Sequence, residues 1–376
     1  MKLILDDSGA WKRFAPLTLT RPVGDLRMGI FTNSERWKIA FPQAEIFFKT
    51  EDYLSKRFLN TASEALSVNA TIIPSQALML RIGTMNENEQ IRSGEVVLAT
   101  AGNGSIKSQW NEEVLIIDQR WHIYQKNDLA LKQDFELITK NRTSKHISAS
   151  NTIIGDKNLI FLEEGAKVEA SIMNTQSGPI YIGKDAEIME GCLVRGPLAL
   201  SENSVLKLGT KIYGPTTLGP HCKVGGEVNN SIFQAFSNKG HDGFLGNSLI
   251  GEWCNLGADT NTSNLKNNYG LISTYSYEAG AEIETDIQFM GLCMGDHSKC
   301  GINTMFNTAT VVGVSSNIFG AGFPNKFVPS FSWGGQDTVA FKFEKAIEYA
   351  NNMMNRRGLK LSEEEIAILH YCNSNF

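Results

Sequence analysis

Between residues 182 and 224 the chain reads IGKDAEIMEGCLVRGPLALSENSVLKLGTKIYGPTTLGPHCKV. Ile182, Ile188, Val194, Leu200, Leu206, Ile212, Leu218 and Val224 recur at every sixth position, with Gly, Pro, Asn and small residues between them. A period of six fits neither the two-residue alternation of a strand nor the 3.6-residue turn of a helix. It is the repeat of a parallel β-helix, in which each hexapeptide supplies one short strand and one corner, the aliphatic residue pointing into the prism and Gly or Asn taking the tight turn. Met294, Cys300, Phe306, Val312 and Ile318 repeat the spacing, and Ile154 with Ile160 and Ile250 with Leu256 fit it locally. The register breaks between Val224 and Ile250, which reads as a loop inserted into the solenoid and carried on its surface, and again around residues 265–288.

Upstream of the repeat the pattern is α/β. Short apolar runs at Lys2–Leu5, Glu45–Phe48, Ala70–Ile73, Glu95–Ala99 and Val114–Ile117 suit strands, and Ser34–Phe41 and Asn127–Lys140 suit helices, the second with Asn127 and Asp128 as caps. Downstream, Thr338–Arg357 and Ser362–Cys372 read as helices, the latter opened by a Ser362/Glu365 capping box, and are expected to cap or flank the end of the solenoid. Three domains follow: residues 1–145 α/β, 146–325 β-helix and 326–376 a helical tail.

The composition narrows the function classes. With 35 Lys+Arg against 40 Asp+Glu among 376 residues the net charge is −5, without a basic block, which argues against a nucleic-acid partner. No apolar run is long enough to span a membrane, and the opening Met1–Asp7 segment lacks the core of a secretory signal. The six cysteines are expected to be reduced thiols in a cytoplasmic protein. Cys293, His297 and Cys300 lack a second ligand group at zinc spacing, so no metal is expected there.

The most specific local sequence runs from Glu227-Val228-Asn229-Asn230-Ser231 through Ser237-Asn238-Lys239-Gly240-His241-Asp242-Gly243-Phe244 and Asn255-Leu256-Gly257-Ala258-Asp259-Thr260 to Asn264. It resembles the acyltransferase half of the bacterial bifunctional UDP-N-acetylglucosamine pyrophosphorylase/glucosamine-1-phosphate N-acetyltransferase. The resemblance implies a left-handed β-helix, a homotrimer with active sites between neighbouring prisms, and acetyl-CoA as acyl donor to an amino-sugar phosphate or nucleotide-linked amino sugar. It places His241 on the general base, and a neutral imidazole suits removal of an amine proton. Glu227, Asn255 and Asn264 fall on substrate-site positions, and Gly257 and Ala258 on the rung beside the CoA arm. Phe244 stands where the family has a phosphate-binding Tyr and Asn229 where it has a Lys, so Lys211, Lys239 and Lys266 are the nearby cations that could substitute.

The N-terminal domain resembles sugar-phosphate nucleotidyltransferases through Gly9, Arg13, Pro16-Leu17-Thr18 and Arg21-Pro22. That likeness implies Arg13 and Arg21 at a nucleotide, with UTP and Mg²⁺ as ligands. The glycine-rich loop is reduced to Asp6–Trp11, and no metal-binding Asp follows the strand at 70–73. The whole chain is most similar to short two-domain relatives of the bifunctional enzyme. Three readings stay open: an acyltransferase with a degenerate or weakly active nucleotidyltransferase domain, a sugar-1-phosphate nucleotidyltransferase, and a non-catalytic module that binds a sugar nucleotide. A β-helix carbonic anhydrase is set aside because no close pair exists among the six histidines.

Overall fold

The six-residue period is realised as a three-faced parallel β-solenoid, seen in a computed structural model that describes residues 1–59 and 65–376. The first face runs from Thr152–Ile154 to Phe244–Gly246, the second from Ile160–Leu162 to Phe327–Val328, and the third from Lys167–Val168 to Ser332–Trp333. Ile182 pairs with Leu200 and Leu200 with Leu218, so three hexapeptides make one turn. All eight aliphatic residues of the quoted stretch lie in one buried core with Met294, Cys300, Phe306, Val312 and Ile318. Ile154 does not: it is exposed, and its neighbour Ile153 pairs with the buried Met173. The ladders continue to Ser332–Trp333, past the boundary expected at 325, and an antiparallel strand, Val339–Ala340, closes the third face.

Between Val224 and Ile250 the solenoid is shortened, not interrupted by an inserted loop. Val228, Phe233, Lys239 and Leu245 occupy the inward positions there, paired in register with Ile212, Leu218, Val224 and Val228. The corner after Val224 has only Gly225 and Gly226 before the next strand, whereas residues 207–210 and 240–243 fill the corresponding corners above and below it. The inserted segment is the later one, where an antiparallel hairpin, Ser273–Ser276 with Ala281–Glu284, leaves the prism. Along the edge between the second and third faces the corner residues with positive φ include His221, Phe236 and Trp253, not just Gly and Asn. Their rings stack at 4.8 and 4.2 Å, which offsets the roughly 1 kcal/mol cost of each left-handed residue.

The N-terminal domain has a six-stranded mixed sheet in the order Glu45–Lys49, Lys2–Asp6, Leu66–Asn69, Val96–Thr100, Glu89–Ser93 and Ile106–Gln109. The strand expected at 70–73 is split, because the Asn69 Oδ1 accepts from the Thr71 N–H at 2.9 Å and turns the chain. Asn127 does not cap its helix. Its Oδ1 accepts from the Gly29 N–H at 2.7 Å, and its Nδ2 donates to the Pro215 carbonyl and the Thr217 hydroxyl on the solenoid.

That contact belongs to a broad seam along the second face. Phe161, Tyr181 and Ala199 pack on Ile30, Phe31, Leu131 and Phe135, while Ile232, Leu249 and Cys293 join the core of the N-terminal domain. Arg21 crosses the seam, 3% exposed, with Glu252 at 2.8 Å and Asp296 also in contact; Asp296 accepts from the Thr20 hydroxyl at 2.7 Å. The tail helix Phe343–Asn355 flanks the last coil of the solenoid, with Phe343 against Phe331 at 5.7 Å and Tyr349 against Trp333 at 6.2 Å, and Glu363–Asn375 follows it. The last folds back onto the N-terminal domain, where Tyr371 stacks on Tyr53 at 4.0 Å, Arg57 pairs with Glu365, and the Cys372 thiol donates to the Leu19 carbonyl. All six cysteines are buried thiols.

Removing one member of a buried ion pair strands the other charge in a low-dielectric site, at a cost of about 3 to 5 kcal/mol. Asp296→Asn should therefore lower the unfolding free energy by about 3 kcal/mol in urea titrations. A loss below about 1 kcal/mol would show that the seam does not depend on Arg21.

Candidate active site

On the third face the residue before each inward position points outward. Lys223, Asn238, Asn255, Lys299 and Asn317 stack there as a polar ladder. The tail helix Phe343–Asn355 and the two arginines after it lie across this ladder and enclose a cleft of about 790 Å³. His241, Asn255, Gly257 and Ala258 line it together, with Lys207, Lys223, Lys299, Arg356 and Arg357; among the described residues no carboxylate lines it. Burial pushes the Lys299 ammonium down to about 8, and its Nζ donates to the His297 carbonyl at 2.8 Å. Burial, and then Arg357, also lower Lys223. Unbalanced cations in a shared cleft are relieved by an anion.

His241 is exposed on the corner between the third and first faces. The main chain beside it is bare by necessity. A Cβ on Gly225 would meet the Gly240 carbonyl oxygen at 2.8 Å, and one on Gly257 would meet Gly301 backbone atoms at 2.4 Å. These stacked glycines keep side chains out of the space next to the imidazole, as close approach of an extended ligand arm requires.

Other expected residues lie around that corner, on the first face. Lys211, Glu227 and Phe244 stack in register, as do Tyr213, Asn229 and Gly246. Glu227 accepts a short hydrogen bond from the Tyr213 hydroxyl, whose pKa is pushed up to about 12 by burial and by that carboxylate. Asn264 is half-buried above this face, its Nδ2 donating to the Asn247 Oδ1 at 2.7 Å. Within one chain the expected site residues therefore divide between two faces that meet at His241.

Two expectations need correcting. Lys239 offers no ammonium to a ligand: it points into the prism, 1% exposed, with its Nζ on the carbonyls of Gly225 and His241. Arg21 is likewise closed to a nucleotide by Glu252 and Asp296 at the seam, and Arg13 is paired with Asp118. Among the described residues no three His, Cys, Asp or Glu side chains gather where they could hold a metal ion. The third-face lysines escaped the sequence reading although their place before each inward aliphatic marked them. Arg356 and Arg357 carried no such local signal, because only the fold-back of the tail brings them to the cleft.

The molecule thus sets an α/β domain against a parallel hexapeptide solenoid, with a cationic cleft at a glycine-lined corner. Residues 3–143 match the family model described as sugar nucleotidyl transferase. The chain is 21% identical over 277 residues to the bifunctional protein GlmU of Synechococcus elongatus, covering 68% of this chain and 55% of the relative. It is 22% identical over 300 residues to a bifunctional sugar-1-phosphate nucleotidylyltransferase/acetyltransferase of Sulfurisphaera tokodaii, covering 76% and 74%. It is thus a relative of these bifunctional proteins, spanning about half the length of the cyanobacterial one. Among solved structures, the UDP-N-acetylglucosamine acyltransferase of Arabidopsis aligns with a TM-score of 0.24 and 12% identity, over 58% of this chain and 85% of that one. Among the described residues no helix is long and apolar enough to cross a membrane.

The cleft should bind adenosine 3′,5′-bisphosphate in calorimetric titrations. Arg356→Ala should weaken that binding about tenfold at low salt, through loss of a charge-assisted contact. Lys299 is protonated below about pH 8 and loses its charge above, so affinity should fall as pH rises from 7 to 9. Affinity unaffected by both changes would remove the cleft as the anion site.

Proposed function

We propose that this chain is an acetyl-CoA-dependent N-acyltransferase acting on an amino-sugar phosphate or a nucleotide-linked amino sugar. The observation that carries this reading is an exposed histidine on a glycine-walled corner that opens into a cleft lined by five cations and, among the described residues, no carboxylate. The cations suit the phosphates of the acyl donor, and Gly257 and Ala258 leave main chain bare along its arm. His241 takes the proton as the acceptor amine attacks the thioester carbonyl. The C–N bond forms, the C–S bond breaks, and the proton passes to the departing thiolate, a general-base role worth about 10² to 10⁴ in rate.

The acceptor site draws on the first face, where Lys211, Glu227, Asn229, Phe244 and Asn264 lie together. Because that face diverges from the cleft, a complete site needs the first face of one copy against the third face of the next. Exposed Ile172 and Leu193, paired in register on that face, form an apolar patch suited to such a contact. A homotrimer supplies it three times, and sedimentation should give one species of three chains.

The N-terminal domain is read as a degenerate nucleotidyltransferase that serves as a docking partner for the solenoid. The family match over residues 3–143 favours retained nucleotidyl transfer, and the engagement of Arg13 and Arg21 opposes it. With UTP, Mg²⁺ and sugar 1-phosphates, pyrophosphate release should be absent. Sustained release would instead make nucleotidyl transfer an activity of the chain.

The deciding experiment follows thiol release from acetyl-CoA against a panel of amino-sugar phosphates and nucleotide-linked amino sugars. Release should depend on one class of amine and fall at least 100-fold in His241→Ala, with an unchanged melting temperature because His241 is exposed. Ligand-dependent stabilisation without thiol release would favour the non-catalytic binding module.

A further inference from the structure

In the inward stack of the third face, Ile188, Leu206 and Val224 are followed by Lys239, and the stack resumes with Leu256, Cys300 and Ile318. One ammonium thus replaces an aliphatic side chain in the middle of an apolar prism. It does so one turn above the shortened corner Gly225–Gly226 and two residues before His241. The missing residues of that corner leave the Gly225 carbonyl turned into the prism, and the longer corner above it turns the His241 carbonyl the same way. The Lys239 Nζ donates to both, at 3.0 and 2.9 Å. A buried carbonyl without a donor costs about 1 to 3 kcal/mol, so the ammonium answers a need created by the unequal corners.

We propose that Lys239 is a positioning residue: from inside the prism it pins the peptide of His241 to the turn beneath and so fixes where the imidazole stands. This rests on His241 being the general base. An aliphatic residue would fill the core at least as well and could hold neither carbonyl, so filling space is not what distinguishes lysine here. Burial pushes the ammonium down to about 8, opposed by Asp242, Asp259 and the Cys300 thiol, the ionisable groups that face it. It is charged at pH 7, and the pin weakens as pH rises through 8.

The test uses the full chain and Lys239→Met, a change of similar length that suits the apolar stack. At pH 7, amide hydrogen exchange in residues 240–243 should accelerate at least fivefold in the variant, while residues 216–224 and 293–300 keep their protection. In acetyl transfer, kcat should fall about 10- to 100-fold with KM for the amine unchanged, as expected when a base is displaced and not removed. The ratio of wild-type to variant rate should shrink between pH 7 and pH 9. Unchanged exchange at 240–243 overturns the proposal, as does loss of protection along the whole solenoid, which would make Lys239 a general support of the core. If the wild type transfers acetyl to no amine, the general-base reading fails, and the exchange comparison alone still decides whether Lys239 pins the corner.

Discussion

The constraint on which the rest of the molecule depends is the in-register stacking of coils. Each turn satisfies its amides on the turns above and below and buries one residue per hexapeptide on each face. Such a ladder tolerates little change in the strands and some in the corners, because only corners leave their backbone groups outside the sheets. The chain uses that freedom near His241. A corner of two residues lies beneath one of four, and stacked glycines form its wall. Chemistry is thereby placed where the scaffold is irregular, with regular coils on both sides to hold it.

The second face has a different task. An isolated solenoid would expose Phe161, Tyr181, Ile232 and Leu249; here they are covered by the N-terminal domain. Polar groups buried in that seam are matched individually. Arg21 meets Glu252 and Asp296, and the Arg27 N–H donates to the Gln234 Oε1 at 2.7 Å. Burial alone would raise the pKa of Glu252, yet Arg21 outweighs it and holds the carboxyl well below its ordinary range. Charges matched this closely specify one docking geometry, since any slip leaves several of them unpaired.

Much of this was legible in the sequence because the hexapeptide period is a direct imprint of coil geometry. Ile182 to Val224 fixed the solenoid, and the Ser362/Glu365 capping box formed as its spacing implied. Between Val224 and Ile250 the reading failed for a physical reason. Shortening the coils by four residues in all, two of them at Gly225–Gly226, shifts the period without interrupting the strands, and in the primary structure such deletions look like a break. Lys239 stands six residues after Phe233 and six before Leu245, but an inward lysine contradicts the expectation that such positions are apolar. The helix at Phe343–Asn355 was visible, whereas its place beside the cleft depended on long-range packing that no local pattern encodes.

A parallel solenoid ends in a coil whose open ladder matches the start of another copy, which is a template for end-to-end growth into fibres. In this chain, Val339–Ala340 lies against Ser332–Trp333 in the antiparallel sense, and Trp333 packs against Phe341 at 4.8 Å. The final edge of the third face is thus occupied by a strand of the wrong polarity for another coil to continue. At that edge, growth by addition of another coil is blocked by the chain's own strand.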